Sequence, residues 1–168
     1  MRIAGLMAFI YLMDGSMQAA EPAGKRILVL CTGNSARSQM AEGFLRSFDA
    51  RLEVYSAGTN PSARVNPFAI AAMNEVGIDI AGGTAKKVDQ FLSQSFDYVI
   101  TVCDDADKSC PNFRGKVGTR VHIGFPDPAK ATGTDAEKMA IFRGVRDDIR
   151  KRFRAYYDRQ IRGAGVAQ

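Results

Sequence analysis

Short, unbroken apolar runs alternate along this chain with stretches whose apolar residues recur at helical spacing. Residues 25–30 (KRILVL) form a β-rich run of the kind that is buried on both faces of a parallel sheet. The loop CTGNSARS follows directly, and in residues 38–48 Met40, Phe44, Leu45 and Phe48 share one helical face. Strand, loop and helix are predicted in that order. Residues 52–56 give a second strand, closed by Ala57-Gly58. A helix is predicted from Asn66, its cap, and Pro67, its first residue, as far as Gly77. Residues 87–92 read as a short helix, 97–102 (DYVITV) as a third buried strand and 120–124 as a fourth. The last helix is expected over 134–157, with Met139, Phe142, Val145, Ile149 and Phe153 on its buried stripe.

Strands alternating with helices predict an α/β fold in a single domain: a four-stranded parallel sheet with helices on both faces and right-handed crossovers. In such sheets ligands bind beyond the carboxyl ends of the strands. Those ends here are Cys31, Ser56-Ala57-Gly58, Cys103 and residues 124–128, so one rim is expected to carry the chemistry. A length of 168 residues at 46% hydrophobic content suits one core, and no repeat or linker divides it. We assign residues 25–162 to the domain and 1–24 to an N-terminal extension. Within that extension, Arg2 and the apolar residues 3–13 resemble a signal-peptide core that Asp14 interrupts, and Gln18-Ala19-Ala20 resembles a cleavage region. The run is too short to span a bilayer, and Met13 or Met17 would serve equally as the start.

Charge changes this picture little. The net charge is +5, and nine basic side chains from Lys138 onward face only Asp147, Asp148 and Asp158. No aromatic platform of the kind that stacks bases is interleaved with them, so a solvated face or a dock for an acidic protein is expected, not nucleic acid. The cysteines change it more. Three of them, Cys31, Cys103 and Cys110, are an odd count without zinc spacing. They read as reactive thiols in a reducing compartment, the cytoplasm, with no metal, cofactor or membrane involved.

The segment from Cys31 to Arg37 is the richest in chemistry. Between a buried strand and a helix it can curl its amides inward around an anion, aided by the positive end of the helix dipole. Gly33 permits the turn, and Asn34 tolerates left-handed geometry and can brace it. Arg37 offers a planar fork of donors to two ligand oxygens. Thr32, Gly33, Asn34, Ser35, Ala36, Arg37 and Ser38 are thus the candidate oxyanion-binding residues. The same field is expected to lower the Cys31 thiol below its ordinary ~8.5, with Ser38 donating to the sulfur. Asp127, in a stiff Pro-Asp-Pro turn after the fourth strand, is placed to protonate a departing oxygen. The single histidine, His122, reads as a satisfied core or rim residue and not a catalyst.

CTGNSARSQMAEG, at 31–43, resembles the active-site loop shared by low-molecular-weight protein tyrosine phosphatases and thioredoxin-coupled arsenate reductases. The similarity continues through YSAGT at 55–59, NPFAIAAM at 66–73, VITVC at 99–103, Cys110-Pro111 and Asp127-Pro128. It implies Cys31 as nucleophile, Arg37 as oxyanion clamp and Asp127 as general acid. A phosphatase, which finishes with water, has no use for Cys103 or Cys110. In the reductases that the chain resembles, Cys103 would attack the Cys31 sulfur and Cys110 would then attack Cys103, leaving a disulfide for thioredoxin. Arsenate reduction by a monomer is therefore the main expectation. Phosphomonoester hydrolysis is the alternative, and a non-enzymatic oxyanion or partner binder the third reading. Ala129 stands where such phosphatases carry an aromatic wall, and Ala36 where the reductases often carry a fourth cysteine. On a continuous helix, Cys103 and Cys110 would lie ~10.5 Å apart, beyond the ~4.4–6.8 Å of a disulfide, so 104–109 must be unwound or must unwind on oxidation. Some of these reductases hold potassium with residues matching Asn34, Glu42, Ser56 and an acid. Lys86 takes the acid's place, and its ammonium is expected beside Glu42, making activity insensitive to potassium.

Overall fold

The computed structural model describes residues 24–103, 108 and 110–163. The expected extension and the segment that must unwind lie, almost entirely, outside these residues. Four parallel strands, β1 (Arg26–Cys31), β2 (Glu53–Gly58), β3 (Phe96–Thr101) and β4 (Val117–His122), form one sheet in the order β2-β1-β3-β4. The register Cys31↔Gly58 and Thr101↔His122 brings all four carboxyl ends to one rim.

The side-chain period of two divides the core. Ile27, Val29 and Ile100 meet α1 (Arg37–Phe48), α2 (Pro67–Asn74) and α3 (Asp135–Tyr156) on one face. Phe44, Phe142 and Phe153, each at most 1% exposed, fill that layer, each contributing ~1.5–3 kcal/mol by burial. On the other face Leu28, Leu30 and Val99 pack against Val88 and Phe91 of a 3-10 turn (Val88–Phe91) and against Phe113. Both faces are helical as expected, but among the described residues the α-helices share one side.

The element ends follow local chemistry. Asn66 caps α2 by accepting from the Phe68 amide at 2.9 Å, with Pro67 at the first position. Thr134 and Glu137 close α3 in a reciprocal capping box. The fourth strand begins three residues earlier than predicted and ends two earlier. It is an edge strand of mostly exposed residues, paired through its backbone, so hydrophobicity did not mark it. Ile123, inside the predicted strand, and Phe125 just beyond it leave the sheet to enter the core.

The basic face of α3 is largely engaged within the molecule. Arg143 and Arg146 grip Glu75 at the end of α2 at 2.6 and 3.0 Å, and Arg146 also donates to the Ala72 carbonyl. Arg152 donates to the Gly124 carbonyl and lies over Phe125. Hydrogen bonds from Arg143 and then Arg146 bring the Glu75 carboxyl from its ordinary 4.5 to about 2. A carboxylate lowered on folding stabilises above its unfolded value and loses that contribution as pH falls. Glu75→Gln should therefore melt below wild type at neutral pH, and the gap should close between pH 4.5 and about 2, as read by thermal denaturation.

Candidate active site

The loop after β1 is built from outside. The amides of Thr59, Asn60, Ser62 and Asn66 donate to the carbonyls of Cys31, Thr32, Gly33 and Ser35 at 2.8–3.2 Å. In a trans peptide the N–H opposes the C=O, so tying these carbonyls outward turns the amides of Thr32, Gly33, Asn34 and Ala36 inward. The Gln39 amide takes the Asn34 carbonyl outward too, at 3.1 Å, which aims the Ser35 amide the same way. Then α1 begins at Arg37 with no side chain capping it, leaving first-turn amides for a ligand. The result is a cradle for a tetrahedral anion.

Asn34 is the one described non-glycine residue with positive φ, at 46°, in the left-handed geometry expected of it. It is fully buried behind the loop, where its Nδ2 donates to Ser38 Oγ and Ser56 Oγ at 2.9 Å each. Gly58 is needed here: an added Cβ would stand 2.4 Å from the Thr32 carbonyl oxygen. Gly58→Ala should therefore push the loop off β2, costing ~1–3 kcal/mol in a urea melt and most of the activity.

Cys31 lies at the base of the cradle, 3% exposed. Its sulfur is 2.9 Å from Ser38 Oγ and receives the Asn34 amide at 3.0 Å. Contrary to the expected lowering, burial pushes the Cys31 thiol up, and the bonds from Ser38 and Asn34 only partly oppose it. The loop sequence shows the donors but not how completely the core closes over the sulfur.

Arg37 reaches across the rim. One guanidinium nitrogen donates to the Phe125 carbonyl at 3.0 Å and the other meets Asp127 Oδ2 at 3.1 Å. Arg37 and Asp127 are thus paired across the rim. The other Asp127 oxygen accepts from the Ala129 amide, fixing the carboxylate at the end of a 3-10 turn (Pro128–Lys130).

Cys103, 4% exposed, enters from the end of β3. Its sulfur takes the Thr32 amide at 3.2 Å and lies 3.3 Å from Thr32 Oγ1. Cys31, Arg37, Cys103, Asp127 and Ala129 all line one open cavity of about 610 Å³. Cys110 is elsewhere. It packs on the opposite sheet face with the Leu28–Val99 cluster, its sulfur 3.5 Å from Arg120 Nη1, in a cavity it shares with His122.

Several partners were not foreseen. Gln39 holds the loop to the Thr84 carbonyl at 3.0 Å, the Phe125 carbonyl receives Arg37, and Lys130 lines the cavity. The expected Lys86–Glu42 approach is corrected. Lys86 Nζ donates to the Thr84 carbonyl, and it is the Lys86 backbone amide that meets Asn34 Oδ1. The cation beside Glu42 is Arg46, at 2.7 Å, one turn along α1.

Comparison with known proteins agrees with this geometry. The family model for low molecular weight phosphotyrosine protein phosphatase matches residues 26–164. An arsenate reductase of Halalkalibacterium halodurans is 50% identical over 133 residues, 79% of this chain and 94% of its own. One of Bacillus subtilis is 46% identical over the same shares. Among solved structures, an arsenate reductase in the phosphate binding state superposes with TM-score 0.64 at 33% identity, covering 80% of this chain and 97% of its own. A tyrosine phosphatase of Erwinia amylovora shares the fold at TM-score 0.64 and 19% identity, over 80% and 92% of the two chains. The fold, the cradle around Cys31 and these matches together establish that the chain belongs to the low molecular weight phosphotyrosine protein phosphatase family.

Proposed function

We propose that this protein reduces arsenate to arsenite through Cys31, Cys103 and Cys110, and that thioredoxin restores the thiols. The observation that carries the reading is Cys103. A second thiol, gripped by both the amide and the hydroxyl of Thr32, lines the same cavity as the nucleophile. Hydrolysis gives such a group nothing to do. The arsenate reductases at up to 50% identity, and Ala129 where an aromatic wall would favour aryl phosphates, support the same choice.

The Cys31 thiolate attacks As(V), forming an S–As bond while one oxygen leaves as water with a proton from Asp127. Arg37, released from Asp127, and the inward amides hold the remaining oxygens. Cys103, as thiolate, then attacks the Cys31 sulfur. The S–As bonding pair stays on arsenic, which departs as As(III), and a Cys31–Cys103 disulfide remains. Cys110 attacks Cys103 and returns Cys31 as a thiolate to its cradle. Because Cys110 sits across the sheet from Cys103, this exchange requires the chain between them to rearrange. The dithiol of thioredoxin reduces the Cys103–Cys110 bond, in a compartment reducing enough to sustain it, which we take to be the cytoplasm.

The test is arsenate-dependent NADPH oxidation in the presence of thioredoxin and its reductase. Steady turnover is expected, and arsenite should accumulate one for one with NADPH consumed. Turnover with aryl phosphate alone, and none with arsenate, would leave hydrolysis as the function. Asp127→Asn should slow aryl-phosphate cleavage by ~10²–10⁴-fold in a stopped assay, since an oxygen leaving group then departs unprotonated.

A further inference from the structure

Cys110 has a seat of its own on the far face of the sheet. The carboxyl halves of β3 and β4 make its floor, with Val99 opposite Arg120 and Thr101 opposite His122. These four residues, Val121 and Cys110 line a cavity of about 310 Å³. Thr101 Oγ1 and His122 Nδ1, 2.9 Å apart, close it toward the rim.

Arg120 holds this seat from the edge strand. Its Nη1 donates to Cys110 Sγ at 3.5 Å, and its guanidinium lies 5.3 Å from the centre of the Phe113 ring. Phe113 in turn stands edge-on to Phe96 in the core of that face, with ring centres 6.2 Å apart. One cation thus pins both ends of the segment 110–113. A guanidinium has only donors, so the sulfur must be the acceptor. Among the described residues the charged end of Arg120 meets this sulfur and this ring and no carboxylate.

The contact belongs to the dithiol state alone. A disulfide needs its two Cα atoms within about 4.4–6.8 Å, and Cys103 lies in the core of the other face. Bonding to Cys103 therefore takes the Cys110 sulfur out of its seat, and the bond from Arg120 is lost. An interaction made in one state only shifts the equilibrium toward that state.

We propose that Arg120 is a positioning residue for the second half of the thiol relay: it holds Cys110 in this seat, apart from Cys103, and so favours the dithiol over the Cys103–Cys110 disulfide. The inference rests on the reading of Cys103 and Cys110 as a redox pair, and it gives that pair two properties. Before arsenate arrives, Cys103 stays free to resolve the adduct on Cys31. After turnover Cys110 has bonded to Cys103, and Cys31 has left as a thiolate with the bonding pair. The disulfide that remains is easier for an external dithiol to reduce. That dithiol becomes a disulfide, and its two electrons and two protons restore Cys103 and Cys110 as thiols.

The test is the redox equilibrium of the pair in mixtures of reduced and oxidised dithiothreitol. Free thiols are trapped with N-ethylmaleimide, and mass spectrometry apportions the tryptic peptides 88–108 and 109–114 between linked and alkylated forms. Arg120→Met should lower the dithiol-to-disulfide ratio ~5-fold in a given mixture, a fall of ~20 mV in potential. Arg120→Lys, which keeps a cationic donor, should stay close to the wild-type ratio. Phe113→Leu removes the ring on which the guanidinium rests. It should shift the ratio the same way, and less than additively with Arg120→Met. An unchanged ratio in folded Arg120→Met overturns the proposal, as does an equal shift in Arg120→Lys, which would assign the effect to strand packing. If Arg120→Met does not fold, Phe113→Leu carries the test alone: a lowered ratio is expected and an unchanged one overturns the proposal. A purely structural role for Arg120 would lower the melting temperature and leave the ratio in place. If the wild type forms no Cys103–Cys110 disulfide in any mixture, the three-thiol reading fails and this proposal with it. A wild-type disulfide whose ratio ignores Arg120 leaves the relay standing and sinks the proposal alone.

Discussion

Cys103→Ser is expected to abolish sustained arsenate reduction, lowering thioredoxin-coupled NADPH oxidation by ~10³-fold or more. Serine keeps the hydrogen bonds that Thr32 makes at this position, but it cannot displace arsenic from sulfur. Cys31 would still take the oxyanion, and the adduct would have no intramolecular thiol to resolve it. Cleavage of an aryl phosphate should survive, since water completes that reaction and the groups it needs are Cys31, Arg37 and Asp127. Cys110→Ser should differ in kind, allowing one arsenite per enzyme and then stopping with Cys31 tied to Cys103. Parallel assays of arsenite release and p-nitrophenol release separate the three cases.

Arg37→Lys should be nearly as damaging, with a ~10²–10³-fold fall in kcat and a higher KM for either substrate. The guanidinium works at the rim in two directions at once, toward the Phe125 carbonyl and toward Asp127, and its side chain is only 11% exposed. An ammonium offers no second donor in the same plane to a second ligand oxygen. It would also hold Asp127 less firmly across the rim. Steady-state kinetics on Arg37→Lys and Arg37→Ala should therefore show a loss at chemistry larger than the loss in binding.

The sequence carried the site's outline because much of it is local. A cysteine at the end of a buried run, Gly33 and Asn34 within the loop, and Arg37 opening a helix are contiguous, and the structure shows them in that order. Asp127 was legible from its place after the fourth strand, although that strand's bounds were displaced. Edge strand β4 is paired through its backbone and mostly exposed, and neither property leaves a hydrophobic signature. The direction of the Cys31 shift was missed because it depends on burial by elements far along the chain. Arg46 is the instructive case. Glu42 and Arg46 are four apart on a predicted helix, a spacing that pairs charges, and the signal was present in the sequence. Alignment of Lys86 with a missing acid drew attention to the wrong cation, because where that ammonium points is decided by the Thr84 turn. The separation of Cys110 from the other two thiols is likewise tertiary, since it turns on which sheet face receives residue 110.

The most direct measurement of the three-thiol reading is a disulfide map after a single turnover. Reduced protein is mixed with arsenate without thioredoxin, free thiols are blocked with N-ethylmaleimide, and the peptides are identified by mass spectrometry. One arsenite should be released per chain, with Cys31 alkylated and a Cys103–Cys110 disulfide present; the same experiment on Cys110→Ser should trap Cys31–Cys103. Release of arsenite with Cys103 and Cys110 both alkylated, or no arsenite at all from protein that still cleaves an aryl phosphate, would contradict it.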